Sequence, residues 1–182
     1  MTKTGKKALT EAQVNKLLEY CTNLRDKTLF TLAISTGLRR LDIVNIRRKD
    51  INLDKKELSF TEHKKNRIWK VPLNQSTCSL ISMYLKVSPK STYLFFGTYN
   101  NKNHLSSKQA YNLLQDSLKK AGLPQRPFHA LRSTCVKLCL KHGWTWEQIS
   151  ELTGDLISTL QCHYSTPSDE EMKQVAQDKS IL

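Results

Sequence analysis

The chain has 182 residues, of which 38% are hydrophobic and 25% are charged, as is ordinary for one soluble globular domain. Its 29 lysines and arginines against 16 aspartates and glutamates give a net charge of +13. A charge of that size favours a polyanionic partner, nucleic acid before an anionic membrane surface. No apolar run approaches the roughly 18 residues of a membrane span, and the first seven residues lack the apolar core of a secretory signal. We therefore expect a protein of the cytoplasm, or of the host cytoplasm or nucleoid if a virus or mobile element encodes it.

The five cysteines are odd in number and scattered along the chain, which argues against a disulfide framework. Cys135, Cys139 and His142 share one helical face, but no second ligand cluster completes a zinc site. We expect free core thiols, no bound metal and no other cofactor.

Helical signals fill the first fifty residues. Thr10 followed by Gln13 is a capping box, and apolar residues then recur at helical spacing. A mostly apolar, buried helix is predicted over residues 26–35, and Gly37 ends it. A third short helix follows through residues 41–46.

Strand signals follow. Residues 51–54 predict a turn, and residues 58–60 and 68–71 predict two strands. The basic run His63–Arg67 is predicted to form the tip of the hairpin between them, and Pro72 to end the second strand.

The remaining chain is again mostly helical. Helices are predicted over residues 75–85, 106–121, 128–141, 145–153 and 169–177. The stretch from Gly154 to Tyr164 predicts a loop or a weak helix. The fold class is therefore mainly α with a small antiparallel β-sheet (α+β).

Two arginines, far apart in the sequence, suit the binding of one phosphate. Arg39 follows Gly37 at a helix start, where backbone N–H groups also favour an anion. His129 and Arg132 are three residues apart, so a helix presents them on one face. The planar guanidinium fork grips two phosphate oxygens at once. Taken singly, these residues fit equally well a surface arginine, a capping histidine and an ion-paired arginine.

A tyrosine and a lysine supply the rest of the chemistry that phosphodiester cleavage needs. Tyr164 lies in a polar segment, and its phenol, with a pKa of about 10, becomes a nucleophile if cations stabilise the phenolate. A packing role fits it as well. Lys64 on the hairpin tip could protonate the leaving oxygen, or it could grip the DNA backbone as its basic neighbours do.

The two arginine segments resemble the boxes of the tyrosine recombinase (phage integrase) family. Thr36–Arg39, with Asp42 three residues on, is similar to the family's first arginine box. Residues 129–134, which read His-Ala-Leu-Arg-Ser-Thr, are similar to the second.

The other two segments complete the resemblance. Residues 57–73 are similar to the family's β-hairpin, in which the lysine seven residues before the valine is catalytic, here Lys64. Residues 149–154, with Tyr164 ten residues after the glycine, are similar to the last box. Four such segments in the right order within one small domain make the resemblance specific.

The resemblance implies a mechanism. Tyr164 attacks the phosphate and leaves a 3′-phosphotyrosine link and a free 5′-hydroxyl. Arg39 and Arg132 bind the non-bridging oxygens, Lys64 protonates the leaving 5′-oxygen, and His129 assists proton transfer. The 5′-hydroxyl of a partner duplex then attacks the link and exchanges strands, without a metal.

The chain departs from the family pattern after Gly154. The family places a histidine there, or a tryptophan later in the box, whereas this chain has Asp155. Because a carboxylate repels a phosphate, we expect Asp155 either to turn away or to impair the site. His163, next to Tyr164, is a candidate for the missing group.

The resemblance also implies how the chain is organised. Residues 1–8 are an extension or linker, residues 9–166 the catalytic domain, and residues 167–182 a tail that docks on a neighbouring subunit or frays. The family's separate N-terminal helical domain is absent, so we expect either a fragment or a minimal natural form. The expected partner is double-stranded DNA, bound by a homotetramer that is monomeric when isolated. The residues expected to contact DNA are Arg40, Lys65, Arg67, Lys70 and Lys108.

Four functions remain open at this level. The first is a strand-exchanging recombinase or integrase, and the second is a nicking and resealing enzyme like a type IB topoisomerase. The third is a DNA-binding relative with impaired catalysis, which Asp155 favours. The fourth is a helix-turn-helix regulator with its recognition helix at residues 144–153.

Overall fold

The computed structural model describes residues 8–62, 67–97, 103–165 and 177. Within them the chain forms eight α-helices and one three-stranded antiparallel sheet, so the predicted fold class is confirmed. None of the helices in this part of the chain has the length and apolar character that crossing a membrane requires. The elements are α1 (Glu11–Glu19), α2 (Leu24–Thr36), α3 (Arg40–Asn45), β1 (Ile51–Asn52), β2 (Glu57–Glu62), β3 (Arg67–Pro72), α4 (Gln75–Val87), α5 (Ser107–Lys120), α6 (His129–Lys141), α7 (Trp146–Thr153) and α8 (Ile157–Tyr164).

Side-chain caps set where several helices begin. The predicted capping box is present, since Thr10 N donates to Gln13 Oε1 at 3.0 Å and Gln13 N donates to Thr10 Oγ1 at 3.3 Å. The same reciprocal pair begins α5 at Ser106 and α7 at Thr145. These bonds satisfy backbone donors that the first helical turn leaves without partners.

Helix α2 lies at the centre of the core and packs on both α4 and α6. Its fully buried side chains include Leu29, Phe30, Leu32 and Ala33. The prediction of a buried helix is confirmed, although α2 begins at Leu24, earlier than predicted. Asn23 is the cap, and its Oδ1 accepts a hydrogen bond from Asp26 N at 2.8 Å.

The sheet has the strand order β1-β2-β3. Leu58 pairs with Val71 across β2 and β3, and both side chains are buried in the core. The prediction of a turn at residues 51–54 is partly wrong, because Ile51 and Asn52 pair with β2 as an edge strand and the turn follows them. Two residues are too few for an alternating pattern to be recognised.

Helix α8 replaces the predicted loop or weak helix before Tyr164. Leu160 and Tyr164, four residues apart, bury one face of α8 against Val136 and Ile149. This packing stabilises a helix whose own sequence signals it only weakly. The predicted hairpin tip at residues 63–66 and the predicted final helix, apart from residue 177, lie outside the described residues.

Gly37 ends α2 at a point where two other helices come close. Its φ of +63° is in the left-handed region, and an added Cβ would lie 3.1 Å from both Cys135 Sγ of α6 and Thr153 Cγ2 of α7. A side chain at this position would therefore be strained by both its backbone and its neighbours.

We predict that Gly37→Ala destabilises the fold more than Gly143→Ala does. Gly143 has a φ of +79° with nothing within 4 Å of its added Cβ, so its substitution costs only the left-handed backbone term of about 1–2 kcal/mol. Gly37→Ala should add an overpacking cost of roughly 1–3 kcal/mol. Urea unfolding of both variants measures the difference, and equal losses would contradict the close approach at Gly37.

Candidate active site

Arg132 is buried at the first turn of α6, with its side chain only 3% exposed. Its Nη1 donates to the Gly37 carbonyl at 2.5 Å, and its Nη2 donates to the Thr153 carbonyl at 2.9 Å. These two carbonyls lie at the C-terminal ends of α2 and α7, where helical backbone acceptors lack internal partners. One guanidinium therefore links the ends of three helices.

Asp155 bridges Arg132 and Arg39. Its Oδ1 lies 2.8 Å from Arg39 Nη2, and its Oδ2 lies 2.5 Å from Arg132 Nη2 and 3.2 Å from Arg132 Nε. The expectation that Asp155 turns away is thus wrong, because its carboxylate contacts both arginines. Two neighbouring guanidiniums favour a negative charge between them, and the carboxylate that follows α7 supplies it.

The Tyr164 hydroxyl contacts Ser133, the residue that follows Arg132 in α6. It shares a hydrogen bond with the Ser133 hydroxyl, with an O···O distance of 3.3 Å, and the residue is 5% exposed. Burial raises the pKa of Tyr164 above its usual value of 10.0, while the Ser133 hydrogen bond and the Arg132 charge lower it. The phenol is therefore held protonated near one cation, Arg132, that could stabilise its phenolate.

His129 begins α6 and lines the same cavity as Arg39 and Arg132. The residue is exposed, but partial burial of its ring lowers the pKa of His129 below its usual value of 6.5, and the Arg132 charge lowers it further. The neutral imidazole is favoured near pH 7, a state that can accept a proton. His163 packs edge-on against Tyr164, with ring centroids 6.4 Å apart.

A cavity of about 580 Å³ opens beside these groups. Leu38, Leu41 and Phe128 are among the apolar residues of its wall, and Arg39, His129 and Arg132 lie along the polar part. Such a surface combines charge for a phosphate with apolar area for the sugar or base beside it.

The residues predicted to bind DNA are placed only in part. Arg40 lines this cavity and is exposed. The Lys108 ammonium lies 5.5 Å from the ring centroid of Tyr111, another residue of the cavity wall. Lys70 is exposed on β3, 3.5 Å from a Glu57 carboxylate oxygen.

The predicted hairpin-tip residues are described least. Lys64 and Lys65 lie outside the described residues, and Arg67 is described only as the first residue of β3. A narrow crevice nevertheless relates this hairpin to the site. Its lining includes the cross-strand pair Phe60 and Trp69 together with Arg39 and Arg132.

Sequence reasoning missed the groups that hold the predicted residues in place. Ser133 had a weak signal, since it follows Arg132 directly. The carbonyls of Gly37 and Thr153 had none, because every residue carries a carbonyl. All five cysteines are free thiols, and no cluster of metal-binding side chains occurs in the described part of the chain.

Comparison with known proteins identifies a family. A model of the phage integrase family matches residues 7–170. The tyrosine recombinase XerA of Pyrococcus furiosus is 31% identical over 185 residues, which cover 99% of this chain and 64% of that protein. XerA of Pyrococcus horikoshii is 30% identical over 179 residues, which cover 97% of this chain and 62% of that protein. The chain therefore spans less than two thirds of the length of these curated relatives.

Solved structures share the fold. The crystal structure of XerA recombinase superimposes with a TM-score of 0.81 at 21% identity, covering 96% of this chain and 66% of that one. The XerH site-specific recombinase bound to its difH substrate gives a TM-score of 0.74 at 19% identity, covering 96% of this chain and 54% of that one.

We predict that His129 titrates below pH 6.5, its usual pKa. Because the folded chain binds this proton less readily than the unfolded chain, folding stability should fall as the pH drops below about 6.5 toward the pKa in the folded state. NMR titration of the imidazole, assigned by its loss in His129→Gln, measures the pKa. The variant should also show a shallower loss of unfolding free energy on acidification. Titration at or above pH 6.5 would contradict the electrostatics described for the site.

Proposed function

We propose that this chain, which belongs to the phage integrase family of tyrosine recombinases, cuts and rejoins DNA strands through a covalent 3′-phosphotyrosine intermediate. The observation that carries the proposal is the convergence of Arg39, Arg132 and Tyr164. The two guanidiniums meet at one carboxylate, and the phenol hydroxyl is bonded to the residue that follows Arg132. These groups come from three separate parts of the sequence, and phosphoryl transfer requires them at one point.

Double-stranded DNA is the proposed partner. The net charge of +13 supports it, because release of counterions from the phosphate backbone drives the binding of basic proteins to DNA. Exposed basic residues also support it, namely Arg40 on the cavity wall, Lys108 beside Tyr111 of that wall, and Lys70 on the sheet. Sequence-independent contacts of this kind would position a duplex over the arginines.

The two arginines would neutralise the reacting phosphate. Each non-bridging oxygen gains charge as the tyrosine attacks, and a fixed guanidinium stabilises that charge more in the transition state than in the ground state. Arg132 is well suited to this role, since backbone carbonyls fix its orientation before DNA arrives. Arg39 is 27% exposed and would complete the clamp from the solvent side.

Tyr164 would be the nucleophile. To attack, its hydroxyl must leave the hydrogen bond with Ser133, lose its proton and form a bond to phosphorus in line with the leaving 5′-oxygen. The neutral His129 imidazole is the proposed acceptor or relay for that proton. His163 packs on the Tyr164 ring and is proposed to orient that ring. It is not proposed to take the place of the histidine or tryptophan of the family pattern.

Lys64 is the proposed general acid for the leaving 5′-oxygen. Support comes from the strands on either side of the hairpin tip, whose Phe60 and Trp69 line the crevice beside Arg39 and Arg132. Lys65 and Arg67 would then hold the backbone on either side. The phosphotyrosine link conserves the energy of the broken bond, so the reverse attack by a 5′-hydroxyl reseals a strand without a cofactor.

Exchange of strands between two duplexes requires several copies of the chain. We propose a homotetramer on DNA built from residues 9–166, with residues 167–182 docking on a neighbouring subunit. Resealing of the same strand, as in a type IB topoisomerase, would need only one copy.

One observation favours a second candidate function. Because Asp155 occupies the space between both arginines, the chain could be a DNA-binding relative in which cleavage is lost. The two candidates differ in whether a covalent protein–DNA adduct forms.

We predict that a nicked suicide duplex carrying the cognate site traps a covalent adduct that Tyr164→Phe abolishes. Tyr20→Phe is the matched control, since Tyr20 is exposed, does not line the site cavity and loses the same hydroxyl. It should retain the adduct on a denaturing gel. Adduct formation by Tyr164→Phe would remove Tyr164 from its role, and no adduct from the unaltered chain that still binds the duplex would favour the second candidate.

A further inference from the structure

We propose that Asp155 is a specificity-determining residue whose carboxylate occupies the place that a phosphate takes between Arg39 and Arg132. An anion can then bind only by displacing it. This inference rests on the proposed function for one point alone, the identification of the displacing anion as a phosphodiester of duplex DNA.

The contacts of the carboxylate are those of a bridging phosphate. One oxygen accepts a hydrogen bond from Arg39 Nη2 at 2.8 Å. The other accepts one from Arg132 Nε at 3.2 Å and is ion-paired with Arg132 Nη2, 2.5 Å away. A carboxylate and a phosphodiester both present two oxygens on one central atom, and both match the guanidinium fork. Asp155 therefore satisfies the two arginines in the way that the substrate would.

Arg132 offers a phosphate little else to bind. Its Nη1 donates to the Gly37 carbonyl and its Nη2 donates to the Thr153 carbonyl, so backbone acceptors occupy the Nη1–Nη2 edge. The Nε–Nη2 edge can also pair with an oxyanion, and Asp155 Oδ2 lies against it, hydrogen-bonded to Nε and 2.5 Å from Nη2. A phosphate that approaches this edge meets a carboxylate before it meets the arginine.

The charges of Arg39, Arg132 and Asp155 also indicate that an anion must displace the carboxylate in order to bind. Two guanidiniums alone carry a charge of +2, and the Asp155 carboxylate between them reduces it to +1. A small free anion gains too little from this site to displace a carboxylate that is already attached to the chain. A duplex brings many other phosphate contacts, and their binding free energy can offset the displacement.

Asp155 is also placed where it can withdraw. It lies in the link between α7 and α8, after Gly154, whose φ is +72°. Its backbone carbonyl is held by the Ser150 hydroxyl at 2.7 Å, while the side chain is 21% exposed. Rotation about the side-chain bonds can therefore move the carboxylate toward solvent without moving α7. The result is a site closed to free phosphate and open to phosphate within DNA.

Inorganic phosphate tests this inference without DNA or catalysis. The apparent dissociation constant for phosphate is obtained from the rise in melting temperature with phosphate concentration, at pH 7 and constant ionic strength. We expect Asp155→Asn and Asp155→Ala to bind phosphate at least about tenfold more tightly than the unaltered chain, since a competing charged partner of both arginines is removed. Adding Arg39→Gln to Asp155→Asn should abolish the gain.

The matched control is Glu11→Gln, which also raises the net charge by one but breaks the ion pair with Lys141 on α6. It should bind phosphate as the unaltered chain does, which separates a local effect from a general one. Phosphate binding that is unchanged or weaker in both Asp155 variants would overturn the proposal, because Asp155 would then only position the arginines. Failure of both variants to fold even in saturating phosphate would overturn it too, since phosphate would not replace the carboxylate.

The phosphate assay tests the role of Asp155, and the DNA adduct assay tests the proposed function, so either proposal can fail without the other. Tighter phosphate binding by Asp155→Asn, with no adduct from any variant on DNA, would support the displaceable carboxylate and reject the recombinase function. An adduct from the unaltered chain, with no gain in phosphate binding by the Asp155 variants, would support the recombinase function and reject the displaceable carboxylate.

Discussion

The Arg132 guanidinium is the group on which the fold and the site both depend. It is buried, it donates to the carbonyls at the ends of α2 and α7, and it belongs to α6. A buried cation is costly unless hydrogen bonds and an opposite charge surround it, and these are supplied by backbone ends that need donors and by Asp155. The interactions that hold three helix ends together therefore also orient the group that would bind a phosphate. Gly37 lies where these three helix ends meet, and its lack of a side chain allows α6 and α7 to approach the end of α2.

Arg39 and Arg132 do not face solvent as two unpaired cations, because the Asp155 carboxylate lies between them. This carboxylate stabilises the folded chain, and it competes with any anion that the two arginines would bind. Catalysis depends on stabilising the transition state more than the ground state, so weak binding of the ground-state phosphate is compatible with rapid cleavage once the carboxylate has withdrawn. Tyr164 shows a similar arrangement, since its hydroxyl is bonded to Ser133 and its burial raises the pKa of the phenol. The two arginines and the Tyr164 hydroxyl thus all have partners within the chain itself.

The sequence predicted most of the fold because its signals were local. Capping residues, glycines at helix ends and apolar spacing located the helices as far as α7, and the alternating strands located the hairpin. Helix α8 was missed because its stability comes from Leu160 and Tyr164 packing on other helices, and β1 was missed because a two-residue edge strand has no pattern of its own. In the site, the order of four segments pointed to Arg39, His129, Arg132 and Tyr164, whose convergence the structure shows. It did not reveal where Asp155 lies, because repulsion by a phosphate and attraction by two arginines act on a carboxylate in opposite directions. The structure shows the carboxylate against both arginines.

The most direct test is a crystal structure of the Tyr164→Phe variant bound to a duplex that carries its cognate site. The variant keeps the clamp and removes the attacking oxygen, so the intact phosphate can be observed in place. This account predicts that non-bridging oxygens of one phosphate lie within hydrogen-bond distance of Arg39 and Arg132, with the Asp155 carboxylate withdrawn from the Nε–Nη2 edge of Arg132. A duplex bound with Asp155 still bridging both guanidiniums, and with the nearest phosphate held elsewhere, would contradict it.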